Sequence, residues 1–228
     1  MDKNEFLKEL EKRNIVLSEK QKNQFNYYYF FLVTENKKYN LTALTLESEV
    51  YEKHFYDSLS LLFENDLKGS VIDIGSGGGF PGMPLKIVKE DLDLSVLDAT
   101  NKKVEFVRQL SSKLDLDVKT ICARAEEYDG QYDNVIARGV APLNILLELC
   151  CKLVKQDGYL IAMKGAKYQE ELENAKNAIK ILGYKLVKVY EYQLPSEQDK
   201  RCNLYFQKIK NQGLKYPRNY SKIKKQPL

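Results

Sequence analysis

Val71-Ile72-Asp73-Ile74-Gly75-Ser76-Gly77-Gly78-Gly79-Phe80-Pro81-Gly82 is a short apolar run that breaks into a glycine-rich turn. Glycines at alternate positions (Gly75, Gly77, Gly79) allow φ > 0 and let the backbone approach a ligand that any Cβ would hold off. Asp73 stands two residues ahead of the first of them, at the carboxyl end of the predicted strand, where open α/β sheets bind ligands. A carboxylate there suits a cationic or hydroxyl-bearing ligand and repels a pyrophosphate. That favours S-adenosylmethionine, which carries an ammonium and a sulfonium but no phosphate, over a dinucleotide.

Downstream of the turn, strand and helix patterns alternate. Strands are predicted at 71–74, 93–98, 117–121, 132–137 and 158–163, with two more near 184–192 and 202–208. Helices fall at 82–90, 102–114, 142–154 and 168–182, the last stopped by Gly183. Such alternation specifies a doubly wound, mostly parallel α/β sheet. The final two strands have no helix between them and should close the seven-stranded sheet as an antiparallel hairpin, an ending typical of methyltransferases. Upstream, residues 1–65 read as a helical extension. Phe6, Leu7 and Leu10 mark one helix face, and Phe25, Tyr28, Tyr29, Leu32 and Val33 mark another behind a Ser18 cap. Aromatics at 27–31 surround that second helix and suggest burial. A third helix carries Tyr51, Phe55, Leu59 and Leu62, with His54, Asp57 and Ser58 on a neighbouring stripe. The division expected is therefore 1–65 extension, 66–210 catalytic domain and 211–228 tail.

At 228 residues, 43% hydrophobic and 30% charged, the composition is that of an ordinary globular chain, large enough for a proper core. No apolar run reaches the roughly 20 residues of a membrane span, and the charged N-terminus is unlike a signal peptide. Cys122, Cys150, Cys151 and Cys202 lack metal-binding spacing, and there is one histidine. A reduced, cytoplasmic protein without metal or membrane is the expectation. Gln207–Leu228 holds seven Lys/Arg and no acid, leaving 29 basic against 32 acidic side chains in 1–206, a net of −3. The positive charge belongs to the tail, where Tyr216 and Tyr220 interleave with it, a pattern suited to phosphate contact and base stacking and concerned with RNA, not cofactor.

Asp98 closes the second strand and is placed to accept hydrogen bonds from ribose hydroxyls. NAD shares that ribose, so Asp98 does not separate the two ligands. The turn does: a G-x-G-x-x-G frame starting at Gly77 begins too late and puts Pro81 where a phosphate would want an N–H. Cys122-Ala123-Arg124-Ala125-Glu126-Glu127 follows the third strand and flanks the expected adenine position. Arg138 ends the fourth strand and Lys164 the fifth. Arg138 could clamp the methionine carboxylate, a phosphate or guanine O6. The Asn/Asp-Pro-Pro-aromatic run of amino-group methylation is missing at this strand end, as is the cysteine of cytosine-C5 chemistry.

Together these residues resemble the bacterial small-subunit ribosomal RNA guanine-N7 methyltransferases, also called glucose-inhibited division protein B. The resemblance spans nearly the whole chain and rests on Tyr39-Asn40-Leu41-Thr42-Ala43, Lys53-His54-Phe55-Tyr56-Asp57-Ser58-Leu59, the Asp73–Gly82 turn, Ala123-Arg124-Ala125-Glu126-Glu127, Ala137-Arg138, Lys164-Gly165 and Tyr216-Pro217-Arg218. Asn203-Leu204-Tyr205-Phe206 and Asn219 depart from the family pattern, away from the cofactor site. The resemblance implies a class I, Rossmann-like fold and methyl transfer from S-adenosylmethionine to a guanine N7 of 16S rRNA in the small ribosomal subunit; a monomer is the expectation, although no residue pattern fixes the oligomeric state. Gly75, Phe80, Ala125, Glu126 and Arg138 would then contact the cofactor, alongside Gly77 and Asp98. Arg124, Lys164, Arg218, Lys224 and Lys225 would face RNA, as would the His54/Asp57 stripe. No residue is expected to act as a base, because N7 is already unprotonated at neutral pH. His54 is expected to be a strut between extension and sheet. The alternative is an RNA-binding protein that kept the fold and lost turnover.

Overall fold

The computed structural model describes residues 1–64, 67–196, 200–213 and 215–228. Seven strands form one sheet: β1 (Ser70–Ile74), β2 (Asp93–Asp98), β3 (Lys119–Cys122), β4 (Tyr132–Arg138), β5 (Val154–Gly165), β6 (Tyr184–Gln193) and β7 (Lys200–Lys208). Their order is β3-β2-β1-β4-β5-β7-β6. The first five run parallel, while β7 pairs antiparallel with both β5 and β6. The expected hairpin is present, with its second strand inserted inside the sheet. Every expected strand exists. β5 is the one markedly longer than its apolar run, because Tyr132 pairs with Val154 ahead of a register shift.

Strand alternation divides the core into two layers. Val71, Val96, Ile136 and Ile161 face one side, where the N-terminal helices, α5 (Gly82–Val88) and α6 (Asn101–Lys113) cover them. Ile72, Ile74, Val135, Leu160 and Leu204 face the other, under α7 (Leu143–Cys150) and α8 (Tyr168–Ile181). With helices on both faces, the central strands are buried on both sides, which explains their continuous apolar runs.

The extension opens with α1 (Lys3–Glu11) and α2 (Glu19–Tyr39), each started by a capping box, Asp2 with Glu5 and Ser18 with Gln21. In α2 the aromatic run is not buried all round. Tyr28 is fully covered, but Tyr27 is 40% and Phe30 56% exposed. One helix face is enough to meet the sheet, so the opposite face stays in solvent. The third helix is not a regular α-helix either. A short α3 (Glu47–Glu49) passes into a π-helical stretch at Val50–Tyr56, then α4 (Asp57–Leu59) and a 3₁₀ turn at Ser60–Leu62.

The tail folds back. Tyr220–Lys225 forms α9, started by an Asn219 cap, with Ile223 wholly buried among the α7-side residues.

Candidate active site

The turn after β1 is held by its own backbone. Gly75 N–H donates to Leu97 O at 2.7 Å, and the N–H groups of Gly79 and Phe80 donate to Ser76 O. Gly75 sits at φ +65°, and a Cβ there would lie 2.9 Å from Val140 Cγ2. Gly77 differs in kind: at φ +58°, a Cβ would meet no protein atom within 4 Å. Its missing side chain opens onto space outside the protein, the arrangement expected of a ligand cradle. Asp98 closes that cradle from β2. Its carboxylate accepts from Gly77 N at 3.1 Å and from Thr100 N at 2.8 Å, so it is fixed before any ligand arrives.

Asp73 is turned away from solvent. It points from β1 under α5, fully buried, and accepts from Gly82 N at 2.8 Å. Burial raises its pKa to about 7, with the Gly82 hydrogen bond and Arg138 working in the opposite direction. The acid that the sequence put at the strand end is a clasp for the turn.

β3 pairs with β2 so that Cys122 lies beside Asp98, and Ala123 N donates to Asp98 O at 3.2 Å. This register carries the Arg124-Ala125-Glu126 loop to the same edge as Asp98. Ala125 and Glu126 are buried. Glu126 Oε1 lies 3.7 Å from Arg124 Nη1 but accepts no hydrogen bond. A buried acceptor without a donor is costly, and one aimed beside the cradle suits a ligand that brings an N–H.

On the other side of the turn, Phe80 is sandwiched. Tyr28 stacks on it at 5.3 Å between ring centroids and His54 at 4.3 Å, with the Arg138 guanidinium 5.2 Å away over its face. Arg138 is anchored through Lys53 O at 2.9 Å, Asp57 Oδ2 at 2.8 Å and His54 Nδ1 at 3.1 Å. An arginine can only donate, so Nδ1 of His54 is unprotonated. Nε2 then carries the hydrogen and donates to Thr42 Oγ1 at 2.8 Å. Burial first, and Arg138 second, lower the His54 pKa to about 3. Asp57 also accepts from Tyr192 at 2.8 Å and lies 3.7 Å from Arg201. The π-helical stretch therefore ties the extension to β4, Asp57 just after it adds ties to β6 and β7, and His54 is the strut expected of it.

Next to this network a cleft of about 760 Å³ opens at the carboxyl ends of β4 and β5, with Lys53, His54, Asp57, Arg138, Lys164 and Glu171 among its walls. Arg138 lines it, whereas Gly75, Gly77, Phe80, Asp98, Ala125 and Glu126 do not. Two adjoining places result: an acidic cradle over β1–β3 and a mixed-charge cleft over β4–β5, with Arg138 at their border.

The expected RNA-side cations fare unequally. Lys164 donates to Ala141 O at 2.8 Å and to Glu171 at 2.7 Å, inside the cleft wall. Arg218 is taken up by fully buried Glu148 through two 2.6 Å bonds. Arg124 stands over the Tyr220 ring at 4.8 Å. Lys224 and Lys225 are exposed on α9. Sequence reasoning missed Tyr28, Thr42 and Tyr192 as parts of the site, since nothing in their local patterns marks them apart from core or loop residues.

A family model described as rRNA small subunit methyltransferase G matches residues 21–200. Proteins named ribosomal RNA small subunit methyltransferase G are similar along their full length: 44% identity to that of Lysinibacillus sphaericus, covering 100% of both chains. The Bacillus subtilis protein is 40% identical, over 100% of this chain and 99% of the relative. Among solved structures, a SAM-dependent methyltransferase from Aquifex aeolicus superposes with a TM-score of 0.56 at 18% identity, over 77% of this chain and 98% of that one. M. jannaschii TYW2 in complex with AdoMet gives 0.54 at 18% identity, over 68% and 76%. These structural likenesses speak for the fold, and the matched family model with full-length identities above 30% speaks for descent: the chain belongs to the rRNA small subunit methyltransferase G family.

Proposed function

We propose that the protein transfers a methyl group from S-adenosylmethionine to N7 of a guanine in 16S rRNA. The observation that carries this reading is the pairing of an acid-lined cradle, open at Gly77 and flanked by Asp98 and Glu126, with a cleft bordered by Arg138. The donor set fits the cofactor. Asp98 offers lone pairs to ribose hydroxyls, and Glu126 Oε1 accepts an exocyclic amine. When bound, S-adenosylmethionine supplies an electrophilic methyl on its sulfonium.

The chain's own residues hold and align. Guanine N7 has an in-plane lone pair and loses no proton on attack, so the site needs no base, and His54 is unfit for one with its Nδ1 held by Arg138. Arg138 keeps donors to spare beyond its three anchoring bonds and presents them at the border of cradle and cleft, where a methionine carboxylate or guanine O6 would meet them. Phe80, locked between Tyr28 and His54, gives the turn a rigid floor. The rate enhancement is then chiefly one of placing two reactants in line. The alternative of a binding protein without turnover has no observation of its own in its favour.

Transfer of labelled methyl to free 16S rRNA and to small-subunit particles, with mapping of the modified base, tests the reading. Label confined to an exocyclic amine, a ring carbon or ribose would overturn it. Gly77→Val supplies the matched control. The protein leaves room for a Cβ, so folding should survive with about 1–2 kcal/mol of left-handed backbone strain. Overpacking against the ligand should weaken cofactor binding by up to about a hundredfold.

A further inference from the structure

The sequence assigns the basic tail to RNA alone, and the structure connects it to the other substrate. α9 is no loose arm. Ile223 is wholly buried, in the same cluster as Ala125. Arg218, just ahead of the helix, grips buried Glu148 and also donates from Nη2 to Gln226 O at 3.0 Å, closing the helix end against its beginning. From this fixed base Tyr220 lies under the Arg124 guanidinium at 4.8 Å, and Arg124 in turn lies 3.7 Å from the partnerless Glu126 Oε1. Ring, cation and buried carboxylate form a row that runs from the tail into the cradle.

We propose that Tyr220 is a positioning residue of the cofactor site: docked α9 holds Arg124, and through it the Ala125–Glu126 loop, in the conformation that receives the adenine. This rests on the cofactor reading above and adds to it an element from the far end of the chain. The ring of Tyr220 restricts Arg124 to one side of the loop. Arg124 orients Glu126 by its charge without satisfying it, since 3.7 Å is too long for a hydrogen bond. Glu126 is left as an acceptor waiting for a donor. Lys222, Lys224 and Lys225 are exposed on the same short helix, so the element offered to RNA phosphates is also the one that sets the loop.

The test is calorimetric titration of S-adenosylmethionine and S-adenosylhomocysteine into the full-length wild type, Tyr220→Ala and Tyr220→Phe, in the absence of RNA. Tyr220 is 39% exposed, so Tyr220→Ala should melt close to wild type. Its cofactor affinity should fall about two- to fivefold, the scale of a partly exposed cation–π contact. Tyr220→Phe keeps the ring and should bind as wild type does. In turnover assays, Tyr220→Ala should raise KM for S-adenosylmethionine and leave kcat unchanged at saturation. Wild-type affinity in Tyr220→Ala overturns the inference while leaving the cofactor reading intact. Equal losses in Tyr220→Ala and Tyr220→Phe also overturn it, because the ring would not be the operative group. A wild type that binds neither compound overturns the cofactor reading and this inference together.

Discussion

His54 and Asp73 flank Arg138, and burial moves their pKa values in opposite directions, which sets up a cancellation that single substitutions should expose. The histidine falls from 6.5 to about 3, and the carboxyl rises from 3.8 to about 7. Below pH 6.5 the unfolded chain protonates His54 and the folded chain does not, so this residue lowers stability as the pH falls. Asp73 behaves the other way. Its folded form keeps a proton that the unfolded chain releases above pH 3.8, so its contribution is complete below 3.8 and lost as the pH rises through 7. Each slope approaches about 1.4 kcal/mol per pH unit. At pH 5 relative to pH 8, His54 should cost about 2 kcal/mol and Asp73 contribute about 3 kcal/mol. Wild-type stability should therefore be nearly flat between pH 5 and 6.5. His54→Gln, whose amide oxygen can still accept from Arg138, should gain about 3 kcal/mol on acidification from pH 8 to 5. Asp73→Asn should lose about 2 kcal/mol over the same range. Asp133, held at about 2 by Lys155 and Ser70, titrates below this window. The chain has no tryptophan, so urea unfolding is best followed by far-ultraviolet circular dichroism at several pH values. Parallel profiles in the two variants would refute the reasoning.

Other perturbations address catalysis and the tail. His54→Gln should retain most turnover at saturating substrates, with no acidic limb near pH 6.5 in the rate profile; a thousandfold drop with intact folding and cofactor affinity would make His54 a participant in the reaction. Arg218→Met leaves Glu148 buried without its cation, with only the residue-218 backbone N–H still donating to it, at up to about 3–5 kcal/mol or roughly 6–20 °C in Tm. Undocking of α9 and hydration of Glu148 caps that loss, and adding Glu148→Gln should recover most of it in thermal melts; no recovery would mean the ion pair is not what docks the tail. Lys222→Ala, Lys224→Ala and Lys225→Ala combined should make the salt slope of RNA binding shallower by about 2, as expected for lost phosphate contacts, and an unchanged slope would remove α9 from the RNA interface.

The sheet was legible because its central strands hold short apolar runs, because β6 alternates polar and apolar residues, and because an α/β alternation leaves few topologies open. The places of Asp98 and of the Ala125–Glu126 loop at one edge of the sheet were legible for the same reason, since position at the carboxyl end of a strand is a property of sequence order. What could not be read depends on partners far away in the chain. The apolar spacing of Tyr51, Phe55, Leu59 and Leu62 is that of an α-helix, yet Arg138, 85 residues on, takes the Lys53 carbonyl and Ser58 takes that of His54. Carbonyls bound from the side favour the wider π turn, a feature that often marks functional sites. Asp73 looked like a ligand-facing acid because nothing local says which side of the strand its neighbours cover. Arg218 read as available charge because a counter-ion 70 residues distant leaves no trace in local composition, and Lys164 because only the packing of α8 brings Glu171, seven residues on, back against it.

The insertion of β7 between β5 and β6 also governs how the chain must be assembled. During synthesis β6 emerges first, and its partner in the finished sheet has not yet been made. Until Lys208 has left the ribosome, β5 presents an open edge and β6 has no neighbour, both templates for pairing with another nascent chain. The closing segment, α9 with Ile223 and Arg218, arrives later still and seals α7 from outside. Premature termination ahead of Lys200 should thus yield an aggregating product, although β1 to β6 and every residue of the cradle would already have been translated.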